Sequence, residues 1–223
     1  METVLYHYWL SSSSWRVRWA LAIKGVPFRS EIIDLRAGEQ QKEAHRARNP
    51  LGYVPTLHID GKDLGESVAI IEYLEARFPA PALYPRDPWV AARVRQFVEL
   101  INSGVQPMQN LEVLKRISPE MAGQREWAAH FNARGMAACE RLLTSFQAEG
   151  LRTNSQFVVG DTLTAADLFL VPQVFSARRY SVDVTPYVHV LAAEKAALAN
   201  EHAQGALPEN QPGAPFRDPA PTK

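Results

Sequence analysis

Near its start the chain carries the stretch VLYHYWLSSSSWRVR, residues 4–18, in which a strand pattern changes to a helical one at a run of serines. β-Branched and aromatic side chains predict a strand over residues 4–9. Apolar residues at helical spacing follow, and Gly25 and Pro27 indicate where that helix ends. A helix start presents free N–H groups and a positive dipole end, so the serine turn is suited to binding an anion. An ordinary serine N-cap has the same pattern, and this stretch alone leaves both interpretations open.

The composition is that of a globular protein with one large or two small domains. The chain has 223 residues, of which 46% are hydrophobic and 22% are charged. Its 24 basic and 24 acidic side chains give no net charge, which argues against nucleic acid or a membrane surface as a partner. No segment is long and apolar enough to cross a bilayer. The single cysteine, Cys139, excludes an internal disulfide and favours a reducing compartment, so we expect a cytoplasmic protein.

The first third of the chain has the pattern of a small α/β domain. Alternation predicts a second strand over residues 28–35, and the polar residues 38–48 predict a loop or a short exposed helix. Residues 49–64 predict two short strands around Asp60-Gly61, a pair typical of hairpin turns. Helical spacing resumes after Ser67, which stands where an N-cap is expected. The predicted order is βαβ, a polar segment, and then ββα.

Prolines divide the chain into further segments. Four prolines within residues 78–88 predict a linker, because proline lacks a backbone donor and disfavours helix before it. We expect an α/β domain over residues 1–84, an all-helical domain over residues 89–207, and a disordered tail over residues 208–223, where five prolines accompany few apolar residues. The predicted helices after the linker cover residues 89–117, 119–149, 165–176 and 188–202.

Several motifs resemble the zeta class of the glutathione transferases. The order of elements, with Val54-Pro55 before the third strand and Glu66-Ser67 at the last helix, resembles the thioredoxin-like domain of that superfamily. Residues 11–18 resemble the class signature, in which serine, serine and cysteine precede Ser-Trp-Arg-Val-Arg. The resemblance implies a thioredoxin-like N-terminal domain, an all-helical C-terminal domain and a homodimer. Further stretches that match the class are residues 101–111, 160–168 and 170–187.

The resemblance also implies an activity. Members of this class act as maleylacetoacetate isomerases in tyrosine catabolism, and near relatives isomerise maleylpyruvate. Glutathione is then the cofactor, and the substrate is a small dicarboxylic diketo acid converted from its cis to its trans form. Two alternatives stay open: a transferase that conjugates or dehalogenates small α-halo acids, and a non-catalytic module that binds another protein. The intact Ser11, Glu66 and Ser67 argue against the module.

The serine turn carries the residues that the resemblance implies are catalytic. Ser11 would hydrogen-bond the glutathione sulfur, because a hydroxyl at a helix start stabilises a thiolate together with the helix dipole. Ser12 and Ser13 share the turn and could assist Ser11 or replace it. Ser13 stands where the family usually has cysteine, so a mechanism that requires a protein thiol at this position is in doubt. Arg16 and Arg18 would add positive charge nearby.

Four residues of the α/β half would bind the rest of glutathione by the same resemblance. Glu66 and Ser67 would hold the ammonium and carboxylate groups of the γ-glutamyl end. Val54 would offer its backbone N–H and C=O to the cysteinyl unit from a cis-proline turn. Gln40 would contact the glycyl end; an ordinary solvated surface glutamine is the alternative for this position.

Three residues of the helical half complete the implied site. Gln106 and Asn110 are four apart and would share one helix face that lines a cleft, with Gln106 near glutathione. Arg179 matches an arginine that binds a substrate carboxylate, since arginine pairs with carboxylates through two hydrogen bonds. Its neighbour Arg178 would be solvated.

Other conspicuous residues predict structure rather than chemistry. Thr164 to Asp167 has the spacing of a capping box at the start of a buried helix. Trp15 and Cys139 are expected in the core. The six histidines have no metal-ligand spacing, so we expect no metal site.

Overall fold

The computed structural model describes residues 2–153 and 156–215. The chain divides into two compact units. Of the described residues, 2–81 and 201–215 form the first unit, and 82–153 and 156–200 form the second. The first unit contains a four-stranded sheet, whereas the second consists of helices. None of the helices in the described ranges is long and apolar enough to cross a membrane.

The first unit is built on a mixed sheet of strand order β2-β1-β3-β4. β1 and β2 are parallel, and β3 runs antiparallel to both β1 and β4. The predicted hairpin is confirmed: Asp60 and Gly61 join β3 to β4 with φ values of 51° and 77°. Both central residues of such a turn need a positive φ, which explains the Asp-Gly pair. The strands are β1 Val4–His7, β2 Arg29–Ile32, β3 Thr56–Ile59 and β4 Lys62–Gly65.

Helices pack against this sheet and against each other. α1 contacts α3, and fully buried apolar residues such as Leu5, Trp19 and Leu57 form the core. The polar segment that was predicted as a loop or short helix contains a 3-10 helix, Glu39–Gln41, and a single α-helical turn. The α-helices before the linker are α1 Ser12–Ile23, α2 Glu43–Arg46 and α3 Ser67–Arg77.

The second unit confirms the predicted helices with one interruption. The sequence predicted one helix over residues 89–117, but the structure divides it into α4, a 3-10 helix at Gln106–Gln109, and α5. Gly104 weakens a helix interior and Pro107 lacks the N–H that a continuous helix needs, so the chain breaks there. The α-helices of this unit are α4 Pro88–Asn102, α5 Leu111–Ile117, α6 Met121–Ala148, α7 Ala165–Arg179 and α8 Val188–Leu198.

The last described residues differ from the prediction. Instead of a tail that is disordered from Pro208, the chain forms a 3-10 helix, Pro208–Asn210, which follows α9, Ala203–Ala206. The Gln211 side chain donates to the carbonyls of Gly205 (2.8 Å) and Leu207 (2.9 Å), which closes the segment on itself. Residues 201–215 belong to the first unit, so the helical unit ends before the expected residue 207. The remaining part of the expected tail, residues 216–223, lies outside the described residues.

Candidate functional site

Ser11 is the N-cap of α1, and its hydroxyl has capacity for a second role. Its Oγ accepts a hydrogen bond from the N–H of Ser14 at 3.1 Å. A hydroxyl has two lone pairs and one proton, so capping uses a lone pair and leaves the proton for another acceptor. The N-cap and anion-binding interpretations of the serine turn are therefore compatible, and one side chain can serve both.

The rest of the turn supplies backbone donors. Ser12 and Ser13 are the first two residues of α1, and both are partly exposed, whereas Ser14 is buried. The first N–H groups of a helix have no carbonyl partner inside it. Because Ser11 caps the N–H of Ser14, the N–H groups of Ser12 and Ser13 are the ones that face outward at this helix end.

The two arginines of the signature, expected to add positive charge near the turn, are buried. Arg16 is 0% exposed and Arg18 is 2% exposed. Arg16 Nη1 donates to Ser67 Oγ at 3.2 Å, which ties α1 to the start of α3. Their guanidinium groups make specific hydrogen bonds within the first unit, and neither residue is an exposed cation.

Glu66, rather than Ser67, is the N-cap of α3. Ser67 is the first residue of the helix, and its buried hydroxyl accepts from Arg16 instead of capping. Glu66 is exposed and has φ 63° and ψ 116°, a backbone conformation that residues other than glycine rarely adopt. Such a conformation costs about 1–3 kcal/mol and is found mostly at ligand-binding positions. It places an acidic side chain directly at a helix N-terminus.

Val54 lies beside the segment that leads into Ser11. The Val54-Pro55 peptide bond is cis, as the fold resemblance implied. Thr56 pairs with Tyr6 in the antiparallel register, and Val54 packs against the buried cluster of Tyr8, Trp9 and Ala214. Over residues 2–153 and 156–215, no hydrogen bond engages the backbone N–H or C=O of Val54. Both groups can therefore pair with a peptide ligand.

Gln40 belongs to the 3-10 helix that packs on the loop before Val54. A Cβ at Gly52 would lie 2.6 Å from the carbonyl oxygen of Gln40, and Gly52 has φ 66°. Only glycine permits this approach. The side-chain Oε1 of Gln40 is buried and makes no hydrogen bond within the described part of the chain. It is the kind of buried polar atom that a ligand donor would satisfy.

In the second unit, Gln106 and Asn110 do not share a face of one α-helix. The 3-10 helix begins at Gln106 and ends before Asn110, which also precedes α5. Gln106 Nε2 donates to Asn110 Oδ1 at 2.7 Å, so the two amides are a hydrogen-bonded pair. The predicted proximity is confirmed, and the predicted geometry is wrong because Pro107 prevents a continuous helix.

A ring of three amides that the sequence analysis missed holds this 3-10 helix. Gln109 Nε2 donates to Gln173 at 3.2 Å, Gln173 Nε2 donates to Asn132 at 2.7 Å, and Asn132 Nδ2 donates back to Gln109 at 2.8 Å. Asn132 and Gln173 are 0% exposed. Fully satisfied buried polar networks rigidify the segments that they join. The available signal was a polar residue on an otherwise apolar stretch of α7.

Arg179 and Arg178 have different environments at the end of α7. The Arg178 side chain is 46% exposed, as expected, and it also forms a two-pronged ion pair with Glu194. Its Nη2–Oε2 distance is 2.6 Å. Arg179 is exposed, its guanidinium lies 5.4 Å from the ring centre of Tyr180, and it has no carboxylate partner among the described residues. Of the two, Arg179 is the one available to a carboxylate ligand.

The residues expected to be structural are structural. Asp167 is 0% exposed and accepts hydrogen bonds from the N–H groups of Thr164 (2.8 Å) and Val158 (2.9 Å), and burial raises its pKa to about 6. Trp15 is 3% exposed. Cys139 is fully buried, and burial raises the pKa of its thiol to about 12, which makes it unreactive. In the described ranges, no three His, Cys, Asp or Glu side chains could hold a metal ion together.

A thioredoxin-like unit with a serine at the start of α1 and a cis-proline before β3, together with a helical unit, defines a glutathione transferase fold. Residues 5–82 match the glutathione S-transferase N-terminal domain family. The chain is 44% identical to maleylacetoacetate isomerase of Rattus norvegicus over 216 residues, which cover 96% of each protein. The chain therefore belongs to the zeta-class glutathione transferases, the family of the maleylacetoacetate isomerases.

Solved structures agree with this assignment. Maleylacetoacetate isomerase from Anaeromyxobacter dehalogenans 2CP-1, with glutathione bound in its active site, superposes with a TM-score of 0.84 at 45% identity, covering 96% of this chain and 98% of that one. A bacterial zeta-class maleylpyruvate isomerase superposes with a TM-score of 0.89 at 36% identity, covering 95% of this chain and 99% of that one.

Proposed function

We propose that this protein is a glutathione-dependent cis–trans isomerase of maleylacetoacetate or a related maleyl diketo acid such as maleylpyruvate. Both activities appear in the names of its relatives, and glutathione is bound in one of their structures. The observation that carries the proposal is the hydroxyl of Ser11 at the start of α1, whose oxygen caps the helix while its proton stays available.

The thiol of this reaction comes from a ligand. Cys139 is the only cysteine in the sequence and is fully buried, and serine occupies position 13. When bound, glutathione supplies a nucleophilic thiol that adds reversibly to an electron-poor double bond and so allows rotation about it. The part of Ser11 is to donate a hydrogen bond to the sulfur, which lowers the pKa of the thiol. The N–H groups of Ser12 and Ser13 and the dipole of α1 act in the same direction.

The residues around the turn fit the remaining groups of glutathione. Ser67 and the N-terminus of α3 suit its α-carboxylate, and the exposed carboxylate of Glu66 suits its ammonium group. The backbone of Val54 offers a donor and an acceptor to the cysteinyl peptide, and the buried Oε1 of Gln40 lacks a donor that a peptide amide could provide. We assign these four residues to glutathione binding.

The second unit contributes the other assigned residues. Gln106 and Asn110 present a rigid amide pair, held by the ring through Gln109, and we assign both to glutathione. Arg179 is the assigned ligand of a substrate carboxylate, because its guanidinium is exposed while Arg178 is engaged by Glu194. A dicarboxylic diketo acid suits a site with an arginine and several neutral donors.

We also propose a homodimer in the cytoplasm that acts in tyrosine catabolism. The second unit has a groove of about 620 Å³ between α4 and α6, lined by Glu99, Arg134 and Arg141 among others. A two-fold axis can pair such acidic and basic groups of one copy with those of the other. The location is supported by a single, buried cysteine, which suits a reducing compartment.

A binding measurement and a substrate comparison test the proposal. Calorimetric titration with glutathione should give saturable binding, whereas a non-catalytic module would show none. With glutathione present, a maleyl diketo acid should be isomerised much faster than chloride is released from a small α-halo acid. Faster halide release, or isomerisation that proceeds equally well without glutathione, would contradict the proposed reaction.

A further inference from the structure

Arg18 is buried under the segment that carries the chain into the serine turn. It lies on the second turn of α1, and its guanidinium reaches back past the start of its own helix. Nη1 donates to the carbonyl of Tyr8 at 3.4 Å, and Nη2 donates to the carbonyl of Trp9 at 3.2 Å. The Tyr8 carbonyl also accepts from the N–H of Ser11 at 3.1 Å. One side chain therefore fixes the two peptide units that determine where Ser11 stands.

The same guanidinium binds the end of the chain. Nη2 and Nε donate to the carbonyl of Ala206, at 3.1 and 3.4 Å, over a sequence separation of 188 residues. We call residues 201–215 the C-terminal strap. The strap contains α9, which packs on α1, and Ala214, which is buried against Tyr8 and Trp9. The strap thus contacts the segment before Ser11 through both a polar and an apolar link.

The environment of this guanidinium is otherwise neutral. Its Nη1 lies 3.2 Å from Nδ1 of His7, a residue that is 0% exposed. Burial, with a smaller contribution from Arg18, lowers the pKa of His7 to about 3, so the imidazole is neutral and can accept the hydrogen bond. Burial lowers the pKa of Arg18 to about 9, which still leaves the guanidinium charged at neutral pH. A planar charged guanidinium among several carbonyl groups donates in fixed directions, which holds those carbonyls in place.

We propose that Arg18 and the C-terminal strap act together as a positioning device for Ser11. The proposal rests on the function proposed above and adds a role for residues that do not touch the ligands. Arg18 determines the direction in which the Ser11 hydroxyl points, and the strap holds Arg18 and the Tyr8–Trp9 segment in place. A displacement of about 1 Å at a catalytic donor can cost up to about 100-fold in rate, so the device bears directly on catalysis.

The decisive variants are Arg18→Met and Arg18→Lys in the full-length protein. We expect the pKa of bound glutathione, followed by thiolate absorbance, to be lowest in the wild type, intermediate in Arg18→Lys and highest in Arg18→Met. The value of kcat/KM at neutral pH should fall by about tenfold or more in Arg18→Met. Without ligand, the amide of Ser14, which is bonded to Ser11, should exchange its hydrogen faster in Arg18→Met.

Arg152 provides the matched control. It is 3% exposed, and it donates to the carbonyls of Phe157 and Gln156, each at 3.0 Å, in the second unit. Arg152→Met should lower the Tm, as any loss of a buried guanidinium does, without changing the pKa of bound glutathione or the exchange of Ser14. A purely structural role of Arg18 would make the two methionine variants behave alike, which would overturn the proposal.

The strap is tested separately by Ala214→Asp, which places a carboxylate in the apolar contact with Tyr8 and Trp9. This variant should raise the pKa of bound glutathione, and its effect should be less than additive with that of Arg18→Met. If Ala214→Asp does not fold, Gln211→Leu loosens the strap with a smaller change and should shift the same values in the same direction. Unaltered values in the folded strap variant would overturn the role of the strap.

The outcomes separate this inference from the proposed function. A wild-type protein that neither binds glutathione nor isomerises a maleyl diketo acid overturns both. A wild-type protein that does both, with an Arg18→Met variant whose bound-thiol pKa and Ser14 exchange are unchanged, overturns only the positioning device. An Arg18→Lys variant identical to the wild type would mean that the charge suffices without the forked hydrogen bonds, and it would also refute the device as stated.

Discussion

Replacing Ser11 by alanine removes two functions of one hydroxyl, and the two losses can be measured separately. As N-cap, Ser11 accepts one hydrogen bond from Ser14, and losing a serine cap costs about 1 kcal/mol of stability. As donor to the thiolate, it makes one charge-assisted hydrogen bond worth about 1.5–3 kcal/mol, so the pKa of bound glutathione should rise by about 1–2 units. The kcat/KM should fall by about 100- to 1,000-fold, as when one oxyanion donor is removed.

Two further variants separate these effects. Asp87 caps α4 by accepting from the N–H of Val90 at 2.9 Å, so Asp87→Ala removes a cap in the second unit. It should lower the Tm about as much as Ser11→Ala, by about 2–4 °C, and leave kcat/KM unchanged. Ser13→Ala should be milder than Ser11→Ala in kcat/KM, and Ser13→Cys, which restores the residue usual in the family, should keep or increase activity.

The assay is kcat/KM for isomerisation, with thiolate absorbance against pH and thermal unfolding measured on the same preparations. If Ser13→Ala abolishes turnover while Ser11→Ala barely changes it, the assignment of Ser11 is refuted and the role belongs two residues further along the turn. Equal small losses would mean that the serines substitute for one another, which would leave the backbone N–H groups and the helix dipole as the main stabilisers.

Two other predictions concern charged groups. Arg179→Leu should raise the KM for the diketo acid by about tenfold or more with little change in Tm. Arg178→Leu should instead lower the Tm, because it leaves the buried carboxylate of Glu194 unpaired. An unchanged KM in Arg179→Leu would refute the assignment of Arg179. Because burial lowers the pKa of His7 from 6.5 to about 3, the unfolded chain binds a proton more tightly than the folded one between these values. The free energy of unfolding should therefore decline as the pH falls below about 6.5, by about 1.4 kcal/mol per pH unit from this group. Denaturant titrations of His7→Gln should show a smaller decline. An equal decline in both proteins would refute the low pKa of His7.

Features encoded by neighbouring residues could be predicted from the sequence. The Asp60-Gly61 hairpin needs only two residues with positive φ, and the capping box from Thr164 to Asp167 needs only two side chains three positions apart. The cis bond at Val54-Pro55 and the family of the chain were accessible because the motifs that carry them are local. These patterns can be identified without knowing which distant segments contact one another in the fold.

Features that depend on distant contacts were not accessible. The hydrogen bonds of Arg18 to Ala206 span 188 residues, and the ring of Gln109, Asn132 and Gln173 joins three separate helical segments. No periodicity or spacing reports such pairings. The folded strap was missed for the same reason, because its few apolar residues are buried by the rest of the first unit rather than by one another.

Local patterns also gave wrong predictions of where two helices begin or end. Ser67 is a residue type favoured at N-caps, yet Glu66 occupies that position with φ 63°. Ser67 is the first residue of α3, and its hydroxyl accepts a hydrogen bond from Arg16. The helix predicted across residues 103–110 has helical composition on both sides, and the break at Gly104 and Pro107 outweighs it.

The most direct test of the account follows glutathione and product in the same reaction. Purified protein, a small amount of glutathione and an excess of a maleyl diketo acid are incubated, and the fumaryl isomer and free glutathione are quantified over many turnovers. We predict that no product forms above the uncatalysed background without glutathione, and that the product exceeds the glutathione added while free glutathione stays constant. Loss of one glutathione for each molecule of substrate converted would contradict it, because the thiol would then be a consumed substrate rather than a cofactor.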